Sequence, residues 1–261
     1  MEDSVIMLAK RALSMAGEKW PSHLALSEKL VEEMLKTVNP ESKNSVSGGA
    51  ETIKDVAGVI LAGGRSSRYG RNKALVHLDH VPLIERVLRV MTSIFHNVVL
   101  ITNTPDEYGY LQIPMSLDII PGLGPLGGIY TGLKVIPARS AFFVACDMPF
   151  LNPCLIRHMV AVREEFDVVV PRISGKVEAL HGLYSKKCLS NIESQIKSGT
   201  YQIFRFFSAV SVRFVDDDEV KKWDPALRSF LNINTPDELK RLGRPEPEGG
   251  IEIGDRTFRQ G

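Results

Sequence analysis

The sequence predicts a three-layer α/β domain with a mainly parallel sheet, preceded by a short helical extension. Three observations carry this. The runs VAGVILA, NVVLITN, AFFVACD and DVVVPR are apolar on both faces, as strands covered on both sides must be. Between them lie segments whose apolar residues recur at helical spacing. The two patterns alternate along the chain, and strand–helix alternation implies parallel strands joined by covering helices.

Taken in order, residues 4–16 and 27–38 show helical periodicity, the second with Leu30, Met34, Leu35 and Val38 on one face after a Ser27 cap. Residues 1–38 are too few for a core of their own and form an N-terminal extension. Residues 39–54, NPESKNSVSGGAETIK, are polar and rich in Ser and Gly, which reads as a linker. The main domain is expected over 55–242. VAGVILA opens it as a strand, PLIERVLRVMTSIF follows as a helix with Pro82 in its first turn, and NVVLITN is the second strand. SLDII is a short strand, PLGGIYTGLKVI a helix, AFFVACD a strand, PCLIRHMVAVREEF a helix and DVVVPR a strand. HGLYS and VSVRFVD are less regular and read as antiparallel or edge strands. SFLNIN reads as a last strand, and TPDELKRL as a final helix with Thr235 as cap, Pro236 in its first turn and Glu238 closing a capping box. Residues 243–261 read as a flexible tail.

With 32 basic and 31 acidic side chains the net charge is +1, so no global field draws the chain to nucleic acid or to an anionic membrane. The doublets Lys186-Lys187 and Lys221-Lys222 read as solvated faces. Three cysteines without metal-ligand spacing, Cys146, Cys154 and Cys188, suggest neither disulfides nor zinc and fit a reducing cytoplasm. No apolar run approaches the length of about 18 residues needed to span a bilayer.

Four motifs carry chemistry. In LAGGRSSRYGRNKA, a strand breaks into Gly63-Gly64 and then a loop bearing Arg68 and Lys73. Glycines let backbone approach a ligand, and successive amides and cations can hold phosphate oxygens; the competing reading is a tight connection. It is neither a Walker loop nor a dinucleotide fingerprint. In AFFVACDMP a buried strand ends in Asp147, a hard oxygen ligand suited to Mg²⁺; the alternative is that Asp147 caps the next helix. PGLGPLGGIYTGL places a helix N-terminus at the same sheet edge. In FLNINTP, Asn232 and Asn234 alternate with apolar neighbours, toward a ligand or, for Asn234, into a turn. His181, before Leu183-Tyr184, reads as a satisfied structural side chain rather than a catalytic one.

Taken together, LAGGRSSRYGRNKA, GPLGGI at 124–129, CDMPFL at 146–151 and NINTPDEL at 232–239 resemble the molybdenum cofactor guanylyltransferase family of nucleotidyltransferases, in the family's order and over roughly 56–242. The resemblance implies a Rossmann-like nucleotidyltransferase fold and transfer of GMP from GTP to the terminal phosphate of molybdopterin or of its molybdenum-loaded form, with Mg²⁺ required. It further implies that Leu61, Ala62, Gly63 and Gly64 line the nucleotide pocket, that Lys73 and Arg68 contact phosphates and that Asp147 ligates Mg²⁺. Asn103 and Asp118 match nucleotide-contacting positions, and Asn232 and Asn234 match acceptor-side positions. Lys73, Arg68 and Asp147 are thus the expected catalytic groups. A molybdoenzyme or its chaperone is the expected protein partner. The chain departs from the pattern at Tyr69, where relatives usually have Met, and at Glu178-Ala179-Leu180, where they often have Glu-Pro-Leu.

The chemistry agrees with the motifs. A phosphate monoester, with its second pKa about 6, is already a nucleophile at neutral pH, so no Ser-His-Asp arrangement is needed. What is needed is the juxtaposition of two anions and stabilisation of the leaving pyrophosphate. Two alternatives stay open at this point: a related cytidylyl- or sugar-phosphate nucleotidyltransferase, and an inactive carrier of nucleotide or cofactor.

Overall fold

A computed structural model describes residues 51–63 and 72–233. The two N-terminal helices, the final TPDELKRL helix, the tail, Gly64, Arg68, Tyr69 and Asn234 lie outside the described residues.

The chain enters through Ile53, which pairs in parallel with Phe95 and exchanges backbone bonds with Ile94 and His96. Strand β1 (Val56–Leu61) is buried along its whole length. A small antiparallel pair, β2 (His77–Leu78) and β3 (Val81–Pro82), leads into helix α1 (Leu83–Ile94), with Pro82 at its N-cap. Then come β4 (Val98–Ile101), β5 (Met115–Ser116), α2 (Gly124–Val135), β6 (Ser140–Ala145), α3 (Pro153–Ala161) and β7 (Val168–Ile173). The remainder comprises β8 (Lys176–Val177), β9 (His181–Ser185), α4 (Leu189–Lys197), β10 (Val212–Asp216) and the single turn α5 (Asp217–Val220).

The main sheet runs β10-β7-β9-β6-β1-β4-β5, with β8 paired to β7. The pairings β6–β1–β4–β5 and β7–β10 are parallel, whereas β9 is antiparallel to both β6 and β7. Alternate residues of β1 feed two cores. Val56 and Ile60 join Ile84, Val87 and Met91 of α1 and Leu155, Ile156 and Met159 of α3. Ala57, Val59 and Leu61 join Leu126, Ile129 and Leu133 of α2 and Ile192 of α4. The expected three-layer α/β sandwich is therefore observed. Close approach of α2 to the sheet depends on Gly132, where a methyl group would stand 2.5 Å from a Phe143 ring carbon.

Four local expectations are corrected. The strand expected at SLDII lies earlier, at Met115–Ser116, because the Asp118 backbone N–H is drawn off the ladder by the Asn103 carboxamide. SFLNIN is not a strand: Arg228–Phe230 form a 3₁₀ turn, its amides bound by the Asp224 carboxylate. Helix α3 stops at Ala161, short of the expected REEF, and Phe166 turns back to bond the Arg163 carbonyl. HGLYS is an antiparallel strand, as one of the two readings had it, but a central, fully buried one. Helix α4 was not anticipated, because its polar sequence buries only Ile192 and Gln195. No helix among the described residues is long and apolar enough to cross a membrane.

Candidate functional site

The sheet has one reversal of winding direction at the β1–β6 border: β4 and β5 are added on one side of β1, and β6 returns on the other. In open α/β sheets a crevice forms beyond the strand C-termini at such a reversal. Leu61 pairs with both Ile101 and Ala145, so β1, β4 and β6 end in register. The ladder continues one residue further, with Ala62 N–H donating to the Ile101 carbonyl (2.9 Å) and Cys146 N–H to that of Leu61 (3.0 Å). Ala62-Gly63 and Cys146-Asp147 thus emerge side by side at the crevice.

Leu61 and Ala62 are buried, whereas Gly63 is exposed and a methyl group built there meets no atom of the described residues within 4 Å. The glycine is therefore not needed to relieve a clash within the described fold, which leaves close approach of a ligand as the reason for it. Across the crevice, Lys73 Nζ stands 2.6 Å from Asp147 Oδ2, with both side chains largely shielded from solvent. Lys73 opens a 3₁₀ turn, Lys73–Leu75, whose N-cap is Asn72: its Oδ1 accepts from Ala74 N–H, and its Nδ2 donates to the Tyr108 hydroxyl (2.8 Å) and to Glu107. Burial pushes the Tyr108 phenol up to about 12, so it stays a neutral anchor at ordinary pH. Asn72 was overlooked in the sequence, where nothing local shows that its partners lie 35 residues away.

The alternative role for Asp147 as a helix cap is excluded. Helix α3 is capped by Asn152, whose Oδ1 accepts from Cys154 and Leu155 N–H at 2.9 and 3.1 Å, with Pro153 in the first turn. The neighbouring Cys146 thiol is pushed up to about 12 by burial and by the Asp147 charge, so it is neither thiolate nucleophile nor thiolate ligand at neutral pH.

On the β4–β5 side, Asn103 Nδ2 donates to Asp118 Oδ2 (2.8 Å) while Asp118 N–H donates to Asn103 Oδ1 (3.1 Å). Burial raises the Asp118 carboxyl above its ordinary range, against the lowering effect of Asn103. The two expected nucleotide-contacting residues therefore form one unit at the same sheet edge. Asn232 is exposed, and its neighbour Ile233 donates its backbone N–H to the Asp147 carbonyl (3.2 Å), bringing the NIN motif against the Asp147 loop.

Among the described residues no three His, Cys, Asp or Glu side chains gather as a metal cage. Asp147 stands as a single carboxylate at an anion-facing crevice. That donor set fits Mg²⁺, which takes one or two protein carboxylates and completes its shell with water and substrate phosphates.

His181 differs from its expected state. It is fully buried between the edges of the Phe142 and Phe230 rings, and neither ring nitrogen has a hydrogen-bond partner. Lys186 is likewise not a solvated cation: its Nζ donates to the Ile136 carbonyl at 2.6 Å.

Comparison with known proteins gives one consistent answer. Residues 58–212 match the family model of the MobA-like NTP transferase domain. The chain is 31% identical over 206 residues to a probable molybdenum cofactor guanylyltransferase of Peptoclostridium acidaminophilum, covering 75% of this chain and 93% of that one. It is 36% identical over 188 residues to the molybdenum cofactor guanylyltransferase of Desulfosudis oleivorans, covering 71% and 93%. Among solved structures, molybdopterin-guanine dinucleotide biosynthesis protein A of Archaeoglobus fulgidus superposes with a TM-score of 0.64 at 27% identity, covering 72% of this chain and 97% of that one. A glycine turn, a Lys–Asp pair and an Asn–Asp pair thus sit at the winding reversal of a sheet that these relatives share, and the chain belongs to the MobA-like NTP transferase family.

Proposed function

We propose that this protein transfers GMP from GTP to the terminal phosphate of molybdopterin, or of its molybdenum-loaded form, and releases pyrophosphate. The observation that carries the proposal is the Lys73–Asp147 pair at the crevice where the glycine turn emerges. In the reaction an oxygen of the acceptor phosphate forms a bond to the α-phosphorus of GTP. The bond from that phosphorus to the α–β bridging oxygen breaks, and its electron pair leaves with pyrophosphate.

The groups present match this demand. Lys73, fixed at its turn by Asn72, places a cation where phosphate charge accumulates; Arg68 follows Gly63-Gly64 on the same loop and supplies a second. Asp147 holds Mg²⁺, which supplies Lewis-acid shielding of the phosphates when bound. Leu61, Ala62, Gly63 and Gly64 line the nucleotide pocket, with Asn103 and Asp118 as its far wall. Asn232 and Asn234 face the acceptor. No side chain need act as base, since the acceptor phosphate is already anionic. The reaction belongs in the cytoplasm, and residues 1–38 offer an element for docking a molybdoenzyme or its chaperone.

The test is pyrophosphate release from GTP, CTP, ATP and UTP with Mg²⁺, with and without molybdopterin. Release from GTP that requires the acceptor is expected. Release from CTP alone would transfer the protein to cytidylyl chemistry, and no release from any nucleotide would favour a carrier.

A further inference from the structure

Asp224 is a buried carboxylate outside every role assigned so far. It lies 5% exposed, and its two oxygens accept from the backbone N–H groups of Arg228 (3.1 Å) and Ser229 (2.8 Å). These bonds close the turn after Leu227, a non-glycine residue in the left-handed region (φ 53°) that leucine adopts reluctantly. The turn is not an isolated surface feature. Fully buried Ser229 presents its hydroxyl oxygen to Asn152 N–H (3.0 Å), and Asn152 Nδ2 donates to the Trp223 carbonyl (2.8 Å). Five residues upstream of Asn152, the Asp147 carbonyl receives the Ile233 N–H. The loop 147–152 is therefore gripped at both ends by the segment 223–233, while its own side contributes only a long Met148 N–H to Ala145 carbonyl bond of 3.4 Å.

We infer that Asp224 is a positioning residue for Asp147: by closing the 228–229 turn it fixes both anchors, Ser229 and Ile233, that hold the loop carrying the metal-binding carboxylate. The inference rests on the proposed role of Asp147. Its physical basis is that a carboxylate alone on a loop binds Mg²⁺ well only if its direction is set beforehand by groups behind it. Asp224 is well suited because a buried acceptor with two backbone donors has no competing orientation. Deleting it leaves two buried amides unpaired and lets the turn relax away from the loop.

The test compares the full-length protein with Asp224→Ala, Asp224→Asn and Ser229→Ala. Three readouts apply: Mn²⁺ binding in the presence of GTP, by the loss of the free-ion EPR signal; GTP binding without metal; and pyrophosphate release. In Asp224→Ala, Mn²⁺ affinity and turnover are expected to fall about 10- to 100-fold, while metal-free GTP binding stays unchanged. Asp224→Asn, keeping one acceptor oxygen, should fall between this variant and wild type, and Ser229→Ala should shift in the same direction. Folded variants with wild-type Mn²⁺ affinity would overturn the inference, as would an equal loss of metal-free GTP binding, which marks a general structural role. Should Asp224→Ala not fold, Ser229→Ala decides by the same criteria. A wild type that holds Mn²⁺ with GTP but transfers no GMP would sink the proposed function and leave the positioning role to the binding data; a wild type that holds no Mn²⁺ would overturn both.

Discussion

Lys73 and Asp147 meet at 2.6 Å across the crevice, yet each has a separate task once nucleotide is present: one neutralises phosphate, the other holds the cation that bridges phosphates. Lys73→Ala and Asp147→Ala should each lower GTP-dependent pyrophosphate release by about 100-fold or more while leaving the thermal transition cooperative. Wild-type turnover in either variant would remove that residue from the mechanism. His181 belongs to stability instead. Burial lowers its ring pKa from 6.5 to about 3, so the fold holds it neutral. A depressed folded pKa contributes stability that is complete above about pH 6.5 and is lost as pH falls from there toward 3. At pH 5 the loss from this one group is about 2 kcal/mol. In urea unfolding, His181→Phe, which keeps the ring between Phe142 and Phe230, should therefore lose less stability between pH 7 and pH 5 than the wild type.

At the scale of elements, the glycines separate into two kinds. Gly132 in α2 faces Phe143 and Val59, so Gly132→Ala overpacks the helix–sheet seam and should cost about 1–3 kcal/mol in denaturant unfolding. Gly63 faces open space, so Gly63→Ala should leave that unfolding transition in place and weaken GTP binding instead. A sequence reader sees both as glycines beside apolar residues; only the packing tells them apart. The same limit explains which elements were legible. β1, β6, α1 and α2 have strong periods because each is buried by its own pattern. The 3₁₀ turn at Arg228–Phe230 and the early end of β5 follow from side chains, Asp224 and Asn103, that capture backbone amides, and apolar spacing does not register such bonds. Lys73 and Asp147 were legible as parts of motifs. Asn72 and Asp224, which act through partners distant in sequence or by closing a turn, were not.

At the scale of the molecule, the domain's first fixed contacts precede β1. Ile53 exchanges backbone bonds with Ile94 and His96, and Arg157 donates to the Glu51 carbonyl. A chain starting at Asp55 should thus be less stable than one starting at Glu51 by about 1–3 kcal/mol, seen as a lower thermal midpoint, since two to three net hydrogen bonds are lost. The sheet also has a seam. β9 alone joins the parallel block β5-β4-β1-β6 to the block β7-β10, and it does so with reversed direction. On a ribosome this orders assembly: once residue 145 has emerged, the strands that frame the nucleotide side can pair, whereas β7 has no place in the sheet until residue 185 has followed. The half that receives GTP can therefore take shape while the half that completes the Asp147 clasp is still being synthesised, and a nascent chain halted between those points would test nucleotide recognition apart from transfer.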